Sequence, residues 1–400
     1  MIEIYNKVDC CGCGACMNVC AHTAISMPQD EEGFQYPVVN KEKCVDCKLC
    51  EKVCPIINVK PEEKQPQRGY LLQIKDDAIR KESTSGGSFT AIASWIINKK
   101  GVVFGAAFDY TDFKVKHCSV DTIESIGKFR NSKYIQSEIG KTYSEVKNLL
   151  RQECWVAFSG TPCQIEGLVN YLRESFDKLL LIDVVCYGIP SPGLFADYLK
   201  YKQKEIGGRF KKIIFREKRL CYNYTSFSIF NEEPDKDYHK EVEREKFMRS
   251  FFNNLNVRPS CYDCKFKKRY RVSDFTIWDC YDVRKFSKNF DDNGTNRVLV
   301  HTEKGQRIFE EIKDSVRKEE YTDLDYFIKD ELAMVKSVPY EERRKAFFED
   351  YQKMVFDEFI KKWLPDTPRV IINSLMRQLC FRLGIYNWAK RTAKAILGKN

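Results

Sequence analysis

Eight cysteines near the beginning of the chain form a repeated pattern that is suited to metal binding. The 400-residue sequence has 18 cysteines, and nine of them lie in the first 54 residues. The spacing C-x2-C-x2-C-x3-C occurs twice, at an offset of 34 residues, in Cys10, Cys13, Cys16 and Cys20 and again in Cys44, Cys47, Cys50 and Cys54. Because four positions share one offset, we interpret the segment as an internal duplication. Cys11 has no counterpart, and we expect it to be an extra thiol and not a ligand.

This spacing predicts two [4Fe–4S] clusters. Three cysteines at intervals of two residues wrap around three corners of a cubane, and the fourth cysteine binds the other cluster. The expected ligands are Cys10, Cys13, Cys16 and Cys54 for one cluster and Cys44, Cys47, Cys50 and Cys20 for the other. Gly12 and Gly14 allow the backbone to approach the inorganic core closely. Zinc, which takes one tetrahedral set of four ligands, and disulfides both fit two crossed sets poorly.

The amino-acid composition is typical of a globular protein and excludes several other classes of protein. Hydrophobic residues make up 43% and charged residues 31% of the sequence. No stretch reaches the roughly 18 uncharged apolar residues that a membrane span needs, and the start has no secretory pattern, so we expect a cytoplasmic protein. The basic segment KFKKRYR (265–271) is short, and we predict no nucleic-acid partner. Only four histidines are present and none forms a nucleophile–base pair, which disfavours hydrolytic chemistry.

The remainder of the chain predicts the elements that position these residues. A polar, proline-containing linker spans 59–69, and strand and helix patterns then alternate. This order predicts an α/β sheet covered on both faces, which follows short ferredoxin-like strands at 24–27 and 35–38. The predicted helices are 90–98, 141–150 and 165–172, and the predicted strands are 101–108, 154–158 and 179–185.

Ligands of such sheets usually bind in the loops that follow the strands. Here the loops read SGTPCQ (159–164) and CYGIPSP (186–192), and STSGGS (83–88) precedes the first long helix. Glycine-rich turns at the start of helices offer N–H groups to phosphates, although each of these turns is weak evidence alone. No G-x-G-x-x-G or P-loop motif is present, so the sequence supports neither a nicotinamide nor a Walker-type site.

Five ordered motifs resemble one known family. They are STSGGSFTAIA (83–93), FRNSKYIQS (129–137), FSGTPCQIEGL (158–168), DVVCYGIPSP (183–192) and RPSCYDCKFKKRYRVSDFTIWD (258–279). Together, over roughly residues 1–310, they resemble the family of coenzyme F420 hydrogenase/dehydrogenase beta subunits, here fused to a bacterial-type two-cluster ferredoxin. The resemblance implies FAD, iron–sulfur clusters and exchange of electrons between a hydride carrier and one-electron centres. Related bacterial forms imply a role in polysaccharide biosynthesis.

The resemblance also implies site residues. For the flavin we expect contacts from Ser85, Gly86, Gly87, Ser132, Lys133, Tyr134, Gln136, Gly160 and Thr161. Cys163, Cys186, Cys261 and Cys264 lie inside the motifs and are expected to bind a third [4Fe–4S] cluster, with Cys280 as a spare ligand. The alternatives are that Cys163 and Cys186 are small buried hydrophobes and that the C-x2-C pair binds zinc. At 187 and at 280–282 the sequence departs from the residues that many members of the family have. These departures bear on the substrate, so the resemblance does not imply that this protein uses coenzyme F420 itself.

The end of the chain lies outside the resemblance. We expect an α/β flavin domain at 70–245, a family domain at 246–340 and a basic helical tail at 341–400, with a charged helix at 340–363. From Thr367 to the end there are seven Lys and Arg residues and no acidic ones, among scattered Leu, Phe and Trp. Such a tail either contacts an anionic membrane surface or a partner, or is an ordinary capping helix.

These observations predict an iron–sulfur flavoprotein oxidoreductase. Clusters carry one electron each, hydride carries two, and a flavin accepts either. A ferredoxin domain at 1–58 tethered to a flavin domain keeps the electron donor at high local concentration. The expected partners are a redox protein or reduced carrier and a small hydride-accepting substrate. The alternatives are a non-catalytic subunit that relays electrons to a separate enzyme and, less in keeping with the cysteine pattern, a zinc-based nucleic-acid binder.

Overall fold

A computed structural model describes residues 1–386, 388–390 and 392, and the chain forms two compact units. The first unit comprises Met1–Ala196 and Val257–Tyr340, and the second comprises Asp197–Asn256 and Glu341–Asn400. The domain limits expected from the motifs follow sequence patterns and stay a prediction. Within the described part of the chain, no helix is long and apolar enough to cross a membrane.

The N-terminal segment repeats its backbone conformation as well as its cysteines. Two short helices, α1 (Ala15–Val19) and α2 (Leu49–Lys52), accompany a two-stranded antiparallel pair, β1 (Ile25–Ser26) and β2 (Val38–Val39). Gly12 and Gly14 have φ of +69° and +71°, and the residues 34 positions later, Asp46 and Lys48, have φ of +48° and +59°. The left-handed geometry is therefore imposed by the loop, because it persists where the residue is not glycine.

An eight-stranded mixed sheet forms the centre of the first unit, in the order β13-β3-β12-β11-β7-β6-β4-β5. Strands β4, β6, β7 and β11 run parallel, and their continuous apolar runs are buried from both sides. The remaining strands pair antiparallel. The strand bounds are β3 (Arg68–Ile74), β4 (Val102–Asp109), β5 (Lys114–Val120), β6 (Val156–Gly160), β7 (Leu179–Val184), β11 (Phe275–Asp279), β12 (Asn296–Val300) and β13 (Val316–Tyr321).

Helices cover both faces of this sheet, as predicted. On one face α4 buries Ile92 and Ile96 in a core shared with α9, and on the other Tyr143 of α5 packs with Leu168 of α6. The helix bounds are α3 (Asp77–Glu82), α4 (Ser88–Asn98), α5 (Thr142–Arg151), α6 (Pro162–Leu172), α9 (Glu303–Glu311) and α10 (Leu324–Ile328). Helix α7 (Pro192–Ile206) begins in the first unit, and its residues from Asp197 onward belong to the second. The predicted helices and strands of this region are present, with ends displaced by at most three residues.

The second unit has a three-stranded antiparallel sheet in the order β10-β9-β8. Its strands are β8 (Phe210–Cys221), β9 (Tyr224–Asn231) and β10 (Tyr238–Glu241), and its helices are α8 (Lys246–Phe252), α11 (Arg344–Lys353), α12 (Phe356–Trp363) and α13 (Pro368–Arg382).

The single charged helix predicted at 340–363 is wrong, because two helices occupy this segment. The backbone is extended at Met354 and Val355, between α11 and α12. The break lets Phe347 and Phe359 pack against each other, with ring centroids 4.9 Å apart. The helical tail is present in α13, whereas Arg391, Ile396 and Leu397 of the predicted amphipathic segment lie outside the described residues.

Candidate functional site

The structure brings together the first set of four thiols, Cys10, Cys13, Cys16 and Cys54. Burial raises the pKa of Cys16, and the neighbouring Cys10 and Cys54 raise it further. The pKa of Cys54 is likewise raised by burial and by Cys10. Crowded, buried thiols of this kind become thiolate ligands when iron neutralises their charge. Cys54 therefore lies with the first motif, although it belongs to the second motif in sequence, as the crossed arrangement requires.

The second set lies around one cavity. Its lining includes Ile25 and Val39 together with all four remaining thiols of the duplication, Cys20, Cys44, Cys47 and Cys50. Backbone N–H groups point at sulfur in both sets: Ile2 N donates to Cys50 Sγ at 3.3 Å, Ala24 N to Cys20 Sγ at 3.3 Å and Gly12 N to Cys10 Sγ at 3.4 Å. Such hydrogen bonds are among the means by which proteins tune iron–sulfur clusters.

The donor sets fit cubane clusters better than single ions. Among the described residues, no three His, Cys, Asp or Glu side chains are arranged to hold one metal ion. In a cubane each thiolate binds a different iron, so its ligands stand further apart than those of one zinc ion. Both N-terminal sets consist of four cysteines, which is the ligand set that [4Fe–4S] clusters take.

The two N-terminal sets differ in burial. Cys13 lies in the same apolar core as α5 and α6, and it packs so closely on Gly167 of α6 that a Cβ there would lie 3.0 Å from Cys13 Sγ. Cys47 of the second set is exposed to solvent. The first set therefore faces the interior of the first unit and the second set lies at its surface.

Arg258 holds the first cysteine loop in place. Its guanidinium is fully buried and donates to the carbonyl oxygens of Cys10 (2.8 Å) and Gln35 (2.9 Å). It also donates to the side chain of Gln136 (2.8 Å), whose amide donates to Cys11 O at 2.9 Å. In the sequence, Arg258 is the first residue of the motif at 258–279. Its role could not be seen in the sequence, because its partners are over a hundred residues away.

The third predicted set is also brought together. Burial raises the pKa of Cys261, and the neighbouring thiols Cys186, Cys264 and Cys163 raise it further. Cys163 lies in the first turn of α6 and Cys186 follows β7; β6 and β7 are parallel neighbours, so their carboxyl ends share one edge of the sheet. The spare ligand Cys280 lies in a different core, with Trp278 and Leu299.

Cys11 connects the first and third sets. Its buried thiol lies within hydrogen-bonding reach of Cys13 on one side and of Cys163 on the other, and both contacts shift its pKa, which is raised overall. Cys163 Sγ in turn lies 3.2 Å from the hydroxyl of Thr161. The sequence classified Cys11 only as an extra thiol, because nothing in its spacing relates it to Cys163.

The basic segment 265–271 is largely engaged inside the protein. Lys267 donates to the carbonyl oxygens of Cys186, Tyr187 (3.1 Å) and Ala333 (2.7 Å). Lys268 pairs with Glu166 at 2.8 Å and Arg271 with Asp183 at 3.1 Å, and all four of these residues are buried. The segment therefore braces the loop that carries Cys186.

Seven of the nine predicted flavin residues fall into three groups. Ser85, Gly86 and Gly87 form the turn before α4, which lies beside Ser132 because Ser132 N donates to Thr84 Oγ1 at 3.1 Å. Gly160 and Thr161 open α6, where Thr161 and Gln164 form a capping box. Gln136 contacts the first cysteine loop instead of either turn.

The contacts of individual flavin candidates limit what each can do. The Ser85 hydroxyl donates to Thr295 O at 2.6 Å, and a Cβ on Gly86 would lie 2.3 Å from Leu72 O. Lys133 is partly buried and donates to the carbonyl oxygen of Arg130 at 2.8 Å, and desolvation lowers its pKa to about 7. These side chains shape the turns. At the start of α4 the Ser88 N–H donates to Asn296 Oδ1 at 3.1 Å, and at the start of α6 Pro162 has no N–H and the capping box engages the Gln164 N–H.

Comparison with known proteins agrees with this geometry. Residues 153–323 match the family model for the C-terminal part of the beta subunit of coenzyme F420 hydrogenase/dehydrogenase, and residues 9–57 match the model of a 4Fe-4S dicluster domain. One subunit of the F(420)H(2) dehydrogenase of Methanosarcina mazei is 21% identical over 336 residues, which are 78% of this chain and 85% of that protein. An uncharacterized ferredoxin of Methanocaldococcus jannaschii is 34% identical over 70 residues, 16% of this chain and 90% of that protein.

Among solved structures, a chain of the F420-reducing [NiFe] hydrogenase complex from Methanosarcina barkeri aligns with a TM-score of 0.47 and 16% identity, covering 74% of this chain and 97% of that chain. The two family models match different parts of the protein, and the dicluster model contains all eight cysteines of the duplication. The chain is therefore an iron–sulfur electron-transfer protein with a 4Fe–4S dicluster domain at 9–57 and, at 153–323, the C-terminal domain of the coenzyme F420 hydrogenase/dehydrogenase beta-subunit family.

Proposed function

We propose that the protein is an iron–sulfur flavoprotein oxidoreductase in which three cysteine sets lead from the surface to an FAD site. The observation that carries the proposal is that each set adjoins the next. Cys50 of the second set lies beside Cys54 and Cys16 of the first set. Cys11 then joins Cys13 of the first set to Cys163 of the third. The order of sites is therefore the second set, the first set and the third set.

The eight N-terminal cysteines are proposed to hold two [4Fe–4S] clusters, and Cys163, Cys186, Cys261 and Cys264 a third. When bound, clusters supply one-electron transfer and FAD supplies the conversion between one-electron and hydride chemistry. The protein contributes fixed ligands, hydrogen bonds to sulfur and burial of three of the four thiols of the first set.

FAD is proposed to bind at the turns that open α4 and α6. Each helix has 11 residues and begins at a loop with a predicted flavin residue as its N-cap, Gly87 for α4 and Thr161 for α6. The positive dipole ends of the two helices favour a phosphate-bearing cofactor. Thr161 also contacts Cys163, so a cofactor held at α6 lies next to the third set. A small hydride-accepting substrate and a role in polysaccharide biosynthesis remain expectations from the resemblance.

A second candidate function is an electron-transfer subunit that serves a separate enzyme. It is favoured by the relative from Methanosarcina mazei, which is a subunit of a dehydrogenase. In this case the exposed second set, with Cys47 at the surface, is the side at which a redox partner docks. The two candidates share the clusters and differ in whether this chain binds its own flavin.

Anaerobic purification of the full chain tests both proposals. We expect about 12 irons per chain, as three cubanes require, and about one FAD that the clusters can reduce. A content of about 12 irons without flavin would support the electron-transfer subunit. A content of about eight irons with flavin would contradict only the third cluster. A colourless protein without iron or sulfide contradicts both.

A further inference from the structure

Helix α13 of the second unit carries a row of exposed apolar side chains. Ile372, Met376, Leu379 and Leu383 follow one another at intervals of three or four residues, and Leu375 lies beside them, so all five share one face. We call these five residues the apolar stripe. They are between 49% and 62% exposed, and Trp388, beyond the helix, is 66% exposed. Five neighbouring large hydrophobic residues in water are unusual and mark an interaction surface.

The opposite face of α13 anchors the helix within its own unit. Ser374 is fully buried and its hydroxyl donates to Glu241 Oε2 at 2.6 Å, while Arg377 pairs with the same carboxylate. Phe381 stacks on Tyr224 of β9, with ring centroids 5.2 Å apart. These contacts determine which face is free, so the stripe cannot turn inward without breaking a buried ion pair.

The charge of the segment indicates the chemistry of what covers the stripe. Residues 367–400 contain seven Lys and Arg residues and no Asp or Glu. Arg369 and Arg382 are exposed near the two ends of α13, beside the stripe. Anionic lipid headgroups attract such basic residues, and acyl chains accept the apolar side chains between them. A second copy would bring the same positive charge to the interface.

We propose that α13 docks the protein on an anionic lipid surface, lying in the plane of the membrane with the apolar stripe inserted. This docking is peripheral, because no described helix is long and apolar enough to cross a bilayer. The proposal rests on the second unit alone and does not depend on the clusters or the flavin.

The test is vesicle binding by the full, cluster-loaded chain. Vesicles of equal parts phosphatidylglycerol and phosphatidylcholine are expected to sediment the protein, and vesicles of phosphatidylcholine alone at least about tenfold less. The double variant Leu375→Asp/Leu379→Asp should lose binding to the anionic vesicles by at least about tenfold, because it removes apolar area and adds negative charge. A matched control is Val355→Asp, which alters a residue of the same unit that is 66% exposed and lies off the stripe.

A second variant protects the test against misfolding. Arg369→Glu/Arg382→Glu leaves the stripe and Arg377 intact, and it should also weaken binding to anionic vesicles by at least about tenfold. Failure of the unaltered protein to bind, or undiminished binding by both double variants, overturns the proposal. So does a dimer in light scattering that Leu375→Asp/Leu379→Asp dissociates, because the stripe is then covered by a second copy.

Discussion

At the scale of residues, contacts between distant segments hold the cysteine sets in place. The spacing of ligands is visible in the sequence, but Cys11, Arg258 and Gln136 acquire their roles only through contacts between distant segments. The buried guanidinium of Arg258 donates to two carbonyl oxygens and to the amide oxygen of Gln136. A buried cation held in this way beside cysteine ligands favours their negatively charged, metal-bound form.

The third set gives the first prediction. Cys163→Ser and Cys261→Ser should each lower the iron content by about four per chain and leave about eight, because a cubane that lacks a thiolate ligand is lost. Iron and sulfide analysis of anaerobic protein measures this loss. Cys280→Ser is the control and should retain all of the iron, since Cys280 lies in another core. Unchanged iron in both test variants would exclude a third cluster.

Cys11 gives the second prediction. Cys11→Ala should keep the full iron content, since Cys11 is not proposed as a ligand, but should slow electron exchange between the N-terminal sets and the third set several-fold. The physical reason is that the variant removes a side chain that contacts both Cys13 and Cys163. Rapid-mixing absorption spectroscopy of the reduced protein measures the rate. Loss of about four irons would instead identify Cys11 as a ligand.

Lys133 gives a prediction about pH. Desolvation lowers the pKa of this partly buried amine from 10.5 to about 7, so its protonated form is disfavoured in the folded state. The desolvated ammonium therefore lowers the free energy of unfolding by its full amount below pH 7. This destabilisation decreases as pH rises and disappears near pH 10.5. Lys133→Met should raise the thermal midpoint at about pH 6–7 and have little effect near pH 10, by differential scanning fluorimetry. A gain that is equal at both pH values would contradict this account.

At the scale of elements, helix α6 contacts both the first and the third cysteine set. Its first turn carries Cys163 beside Thr161, and one turn later Gly167 lies against Cys13 of the N-terminal segment. Pro162 and the capping box specify where the helix begins, and therefore where Cys163 lies relative to the end of β6. The same helix thus supports the first and third sets.

The close contact at Gly167 gives the fourth prediction. In Gly167→Val the added side chain meets Cys13 Sγ and the Tyr143 hydroxyl at 3.0–3.1 Å, so it should displace the first set and lower the iron content by about four. Gly127→Val is the matched control, because its Cβ would have no neighbour nearer than 3.8 Å. Equal iron in the two variants would show that α6 does not constrain the first set.

At the scale of the whole molecule, the N-terminal segment is part of the first unit and not an independent appendage. Cys11, Cys13 and Ala15 lie in one apolar core with α5 and α6, and Arg258, in the Val257–Tyr340 part of the same unit, donates to the Cys10 carbonyl through a hydrogen bond. The second unit has its own sheet and its own helices. Binding of the iron–sulfur clusters in the first unit is therefore expected to stabilise that unit in particular.

Removal of iron gives the fifth prediction. Anaerobic chelation should increase amide hydrogen exchange in α1, α2 and the loop around Arg258, because their packing depends on the cysteine loops. Strands β8 and β9 of the second unit should keep their protection. Hydrogen-exchange mass spectrometry of the loaded and iron-free protein measures both. Unchanged exchange throughout the first unit would indicate that the clusters contribute little to its folding.

Much of the fold could be predicted from the sequence because its signals are local. Cysteine spacing, helical apolar periodicity and continuous apolar strands each depend on neighbouring residues, and the corresponding elements are present. The break between α11 and α12 was missed, because charged residues at 340–363 mask a turn that tertiary packing of Phe347 on Phe359 selects. The antiparallel strands of the sheet were not foreseen either, since strand partners are separated by up to hundreds of residues.

The sequence by itself determined the eight N-terminal thiols, their duplication and the family motifs, because ligand spacing and loop chemistry are encoded within short segments. Only the tertiary structure decided that Cys11 connects Cys13 with Cys163, that Arg258 holds the first cysteine loop, and which face of α13 is exposed. The physical reason is that these relations depend on long-range packing. Side chains over a hundred residues apart become neighbours only when the sheet and its helices bury a common core.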